Sequence, residues 1–175
     1  DRNGYCTWSA YDEQGREWKF QKDVSIAGID SEKCEMVTPI LNYSDIETLQ
    51  ELVRILRKAG AKSDSTRGCG VHIHIGAKGH TAKTLRNLAN IMASHEQLLI
   101  DALNLDEVRV RRYCRTVDIR FLEQVNRRKP KTMSELADVW YKSHDENYGR
   151  SHHYNGSRYH MLNLHATFTK GTVEF

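Results

Sequence analysis

The sequence predicts an α+β fold in a single domain, an antiparallel sheet with amphipathic helices packed on it. Three observations carry this. Short alternating segments bounded by Gly or Pro recur along the chain, and two stretches carry apolar residues at helical spacing behind capping signals. The third is length: 175 residues make one domain that can bury a core without staples. No apolar run exceeds three residues, so no membrane-spanning helix and no apolar centre of a secretory signal is expected. The four cysteines, Cys6, Cys34, Cys69 and Cys114, form no C-x-x-C pair and read as reduced thiols in a cytoplasmic setting.

In chain order, residues 1–14 are polar and turn-like around Asn3-Gly4. Arg16 to Phe20 follows the turn at Gln14-Gly15 as a short strand, and 23–26 leads into a loop through Gly28 and Ser31. Residues 33–38 read as a strand stopped by Pro39, with Glu35 among apolar and thiol neighbours. A first helix is capped by Ser44 with Glu47 three residues on. Its stripe of Ile46, Leu49, Leu52, Val53 and Leu56 should lie on a flat surface until Gly60 ends it. A second helix spans 81–103 with Leu85, Leu88, Met92, Leu98 and Leu99 inward. His95 within it reads as a packing residue, since H-E-Q-L-L has no second histidine four residues on. A third helix begins at Thr132, capped by Glu135, and runs past Leu136, Val139 and Trp140. Residues 144–157 read as a long mobile loop, and 158–165 and 172–175 as extended. The chain opens on Asp1 and stops within the last strand, so it reads as truncated at both ends.

The segment that points to chemistry is Gly68-Cys-Gly-Val-His72-Ile-His74-Ile-Gly76. In a strand, side chains two apart share a face, so Val71, Ile73 and Ile75 should face the core and His72 and His74 the other side. Paired imidazoles suit a metal ion, a phosphate or both. Glu35 and Glu174 likewise interrupt apolar segments, and carboxylates with imidazoles on neighbouring strands would make a floor of ligands. By ligand type alone such a floor suits manganese or zinc.

Taken together, Gly15-Arg-Glu-Trp-Lys19, Asp23 and Ser25, Cys34-Glu-Met-Val-Thr-Pro39, the Leu-rich helix ending Arg57-Lys-Ala-Gly-Ala61, the histidine strand, Arg158-Tyr with Leu162-Asn163, and Gly171-Thr-Val-Glu174-Phe resemble the amidoligase family. That family is grouped with carboxylate-amine ligases of the glutamine synthetase and glutamate-cysteine ligase type. The resemblance implies a glutamine synthetase-like fold whose sheet forms a concave ATP site. It implies ATP-dependent amide formation through an acyl phosphate, with Mg2+ held by Glu35, His72 and Glu174. It assigns His74, Arg158 and Asn163 to catalysis, with Arg158 and Asn163 lining the nucleotide and substrate pocket, and His74, Arg158, Lys19 and Ser25 to nucleotide binding. The partners it implies are a small-molecule or peptide carboxylate and an amine. Two family features are missing: an opening strand carrying E-x-E, and an Arg two residues after Glu174.

Residues 109–131 hold nine Lys or Arg against Asp118 and Glu123. They read as a solvated basic face, with Arg112 and Arg115 as candidates for phosphate or an acidic substrate tail. Two other functions are weighed. One is a zinc hydrolase built on His72 and His74. The other is a nucleic-acid module using this run, with Tyr113 and Phe121 as stacking residues, which a net charge of only +3 disfavours.

Overall fold

The computed structural model describes residues 6–175; the turn expected at Asn3-Gly4 lies outside them. The chain divides into two compact units, 1–70 and 71–175, and each is described by itself.

The first unit holds a three-stranded antiparallel sheet of β1 (Thr7–Tyr11), β2 (Glu17–Gln21) and β3 (Glu35–Val37), in that order. β1 falls where the sequence suggests only turns. Every one of its side chains is exposed, so its alternation carries no buried face and leaves no hydrophobic signal. β1 bears no E-x-E, and its partner β2 carries the sheet's best-buried side chain, Trp18. Asp12 organises the hairpin loop. Its carboxylate accepts from the Gln14 and Arg16 backbone amides at 3.1 and 2.8 Å and from the Trp18 indole at 3.1 Å. Arg16 then reaches both oxygens of Asp45 at 2.9 and 3.0 Å, tying this loop to the turn that starts α1 (Ile46–Lys58).

That turn corrects the expected cap. Asn42 and Asp45, not Ser44 and Glu47, form the capping box, around a 3-10 turn at Tyr43–Asp45. The stripe on α1 is also less covered than a helix on a sheet would be. Leu49, Leu52 and Leu56 are half-buried while Ile46 and Val53 are exposed. The loop that follows makes a 3-10 turn at Ser65–Arg67 and ends at Gly68, whose φ of +92° favours glycine and where an added Cβ would crowd the Ser25 carbonyl at 3.3 Å.

The second unit is built on helices. α2 (Ala82–Ala102), α4 (Ile119–Arg128) and α5 (Met133–Ser143) bury Leu85, Ala89, Met92, Phe121, Val125, Leu136, Val139 and Trp140. The Phe121 and Trp140 rings meet edge to face at 4.9 Å. Thr81 caps α2, and Thr132 caps α5 by accepting from the Glu135 amide, where the sequence places both starts. The inward face of α2 ends differently from expectation. Leu98 and Leu99 are exposed, and Glu96 takes the buried position, its carboxylate accepting the Val117 amide at 2.8 and 3.0 Å. His95 is exposed as well, bonded to the Ile91 carbonyl of the preceding turn rather than packed in the core.

The basic run is two helices, α3 (Glu107–Arg112) and α4, each begun by an aspartate. Asp106 accepts from the Arg109 amide, and Asp118 from those of Arg120 and Phe121. Reading the run as charge hid its caps. The 144–157 loop is fastened by buried Asn155, whose amide donates to the carbonyls of Glu146, Tyr148 and Gly149. The extended tail is interrupted by α6 (His165–Lys170) before β5 (Thr172–Glu174). β5 pairs antiparallel with β4 (His74–Gly76), His74 facing Glu174 across the ladder, and bridges Asn163 on its other side. Together the two units form an α+β chain of small antiparallel sheets and helices.

Candidate active site

The second unit gathers its chemistry around Glu174. The β4 to β5 register sets this up, because directly opposed residues of an antiparallel pair project to one face. His74 therefore shares its face with Glu174, and His72, two residues earlier, does so too. Pairing continues past the strand ends through reciprocal Ile73 and Phe175 backbone bonds of 2.8 Å, which holds His72 in line. The His72 Nδ1 lies 2.9 Å from Glu174 Oε1, and His74 Nε2 lies 3.7 Å from Oε2. His74 Nδ1 meets Thr172 Oγ1 at 2.9 Å.

The apolar side of this strand departs from expectation. Val71, Ile73 and Ile75 are 80, 54 and 52 % exposed, so in the described structure they do not seal a core. On β5 both faces are protected, Val173 opposite Ile75 being 1 % exposed and Glu174 opposite His74 5 %, while every residue of the histidine strand itself is exposed.

Asn163 completes the clasp. Its Nδ2 donates to Glu174 Oε2 at 3.0 Å, its Oδ1 accepts the Ala166 amide at 3.2 Å, and its backbone exchanges bonds with that of Glu174. A cleft of about 10 Å³ beside the carboxylate, bordered by His153, Arg158, Asn163, His165 and Lys170, has room for about one water. Arg158 NH1 donates to the His153 carbonyl at 3.0 Å and lies 3.2 Å from its ring.

Electrostatics follow from this crowding. Burial pushes the Glu174 carboxyl up, but the His72 hydrogen bond and the charges of His74, His72 and Lys170 outweigh it and hold the group below its ordinary range. Burial lowers His74 against the opposing pull of Glu174. Burial, and then the Arg158 charge, lower His153.

His72, His74, Arg158, Asn163 and Glu174 are thus neighbours. His153 and Lys170 join them unanticipated; the signals available were the His152-His153 pair and a lysine just before the glycine that opens the last strand. The remaining candidates sit in the first unit. Glu35 accepts from Gln21 Nε2 at 3.0 Å across β2 and β3, Lys19 pairs with Glu17 at 3.2 Å, and Ser25 donates to Asp23 at 2.7 Å. Arg115 is spent on the Tyr159 and Gly156 carbonyls at 3.1 and 2.9 Å, and Arg112 stacks on Tyr113. Phe121 is fully buried, which removes a stacking residue from the nucleic-acid reading.

The donor set around Glu174 suits a cation in kind: an ionised carboxylate with free lone pairs beside two ring nitrogens. It is short in number, since among the described residues no three His, Cys, Asp or Glu side chains come together as a ready metal site. A bound ion would need oxygens from further groups or from phosphate.

No helix among the described residues is long and apolar enough to cross a membrane. No curated protein and no solved structure matches the chain. The model of the family described as "putative amidoligase enzyme" matches residues 1–175, its whole length. With the histidine strand, Asn163 and Glu174 in one cluster and the family pattern running from end to end, the chain belongs to the amidoligase family.

Proposed function

We propose that this chain is the catalytic region of an ATP-dependent carboxylate-amine ligase that works through an acyl phosphate. The observation that carries the reading is the Glu174 cluster: a buried, ionised carboxylate flanked by two imidazoles, with Arg158 and Lys170 beside it. This concentration of fixed charge suits phosphoryl transfer, in which catalysis is mostly positioning and electrostatic stabilisation. Bound Mg2+ supplies charge neutralisation and alignment of the nucleotide phosphates.

The protein's residues divide the rest. Glu174 and His72 would hold the cation, and Glu35 is retained as a proposed metal ligand. Arg158 and His74 donate to the γ-phosphoryl oxygens as a substrate carboxylate oxygen attacks phosphorus and the bond to ADP breaks. Asn163 keeps Glu174 turned toward His72. The amine nitrogen then attacks the acyl carbon, phosphate leaves with the carbon-oxygen bonding pair, and the amine's proton passes to solvent. Lys19 and Ser25 are proposed to contact nucleotide, and a concave glutamine synthetase-like sheet is proposed as the frame.

The test is phosphate release from ATP and Mg2+ by the full chain, screened against a panel of carboxylates and amines. Release that requires one member of each class, lost on His72→Ala, supports the reading. ATP turnover indifferent to both substrates, or none with any pair while nucleotide fails to bind, overturns it.

A further inference from the structure

A groove of about 310 Å³ lies between α4 and α5 and shares no lining residue with the cleft beside Glu174. Arg120, Arg127, Arg128 and Lys142 form its walls with Glu123, over a floor that includes Val139. The cations are not equivalent. Arg120 is neutralised by Asp118 at 3.2 Å and Asp145 at 2.8 Å. Arg127 and Arg128 both donate to one neutral acceptor, the Gln124 amide oxygen, at 2.7 and 3.1 Å. Neither of them, nor Lys142, forms an ion pair among the described residues. Two guanidiniums are therefore held side by side by a dipole, and the groove keeps three uncompensated positive charges against one acid.

We propose that this groove binds an acidic polypeptide segment. Guanidinium forks match carboxylates two bonds at a time, and the nearly buried Val139 floor gives the aliphatic stem of a glutamate somewhere dry to lie. A single strand of nucleic acid fits less well. It relies on aromatic side chains for stacking, and the groove lining has none. Nothing in this inference depends on the ligase reading.

The experiment uses the full chain and fluorescence anisotropy with a labelled ten-residue polyglutamate peptide, at low and moderate salt, beside a polyglutamine peptide and an oligothymidylate of equal charge. Polyglutamate binds, polyglutamine does not, and affinity falls with salt. Arg127→Gln with Arg128→Gln weakens binding about tenfold or more, while Arg111→Gln, an exposed arginine outside the groove, leaves it unchanged. Glu123→Gln removes the one acid of the walls and tightens binding roughly threefold, an effect that misfolding cannot imitate. Equal losses from Arg111 and from the groove pair, no tightening with Glu123→Gln, or oligothymidylate binding at least as strongly as polyglutamate, each overturns the assignment.

Discussion

Glu174 Oε1 and His72 Nδ1 lie 2.9 Å apart although 102 residues separate them. Because the carboxylate accepts, the ring donates from Nδ1, which fixes the orientation of the imidazole. Glu174→Gln keeps the shape and removes the charge. On the proposed function it lowers substrate-dependent phosphate release by about 10- to 100-fold with an unchanged far-UV circular dichroism spectrum. Full activity in that variant would remove Glu174 from the site.

Asn163→Ala strips Glu174 Oε2 of its donor and the start of α6 of its acceptor at once. Leaving these buried groups unpaired costs on the order of 1–3 kcal/mol. Urea denaturation measures it: the midpoint drops while the slope stays that of the parent chain.

His144 and His160 predict acid sensitivity. Their rings sit 4.6 Å apart beside Trp140, and each Nδ1 donates to a backbone carbonyl, of Trp140 and Ser157 respectively. Burial, then the His144 charge, pull His160 down to about 4, and Arg115 adds to this against a weaker opposing pull from Asp118. Burial lowers His144 likewise. Both are neutral when folded and take up protons more readily when unfolded. Their contribution is therefore complete above about pH 6.5 and is lost as pH falls from there toward 4. For His160 alone the loss is on the order of 2–3 kcal/mol, read as a falling Tm between pH 7 and pH 4. His160→Gln should flatten that slope; an equally steep slope in the variant counts against the pair as its source.

Glu96 carries the opposite sign. Burial raises its carboxyl against the stabilising Val117 amide, so the charge opposes folding at neutral pH while the hydrogen bond supports it. Glu96→Gln retains an acceptor without the charge and should melt at or above the parent temperature at pH 8. Glu96→Ala leaves the amide unpaired and should lose on the order of 1–3 kcal/mol. Thermal melts of the two side by side separate bond from charge.

How much of this was legible in advance depends on where each signal resides. Thr132 announced its helix because a cap is a local device, spelled in four consecutive residues, and α2 was read from its apolar stripe. The His72 and His74 face was legible because strand alternation is local too. β1 was not, since a strand wet on both faces leaves no periodic trace. α4 was concealed by its own charges, although Phe121 and Val125 on its inner side are fully buried. The cluster around Glu174 was legible only as a family pattern. His153 and Lys170 reach it through the fastening of the 144–157 loop and the turn of α6, neither of which a window of neighbouring residues encodes.

Asn163 holds Glu174 with one end of its amide and the first turn of α6 with the other, and Thr167 on that helix donates to the Thr172 carbonyl at 3.1 Å. Helix and carboxylate are thereby tethered through one side chain, and Lys170 and Thr169, which border the cleft beside the acid, stand on the same short helix that fixes it.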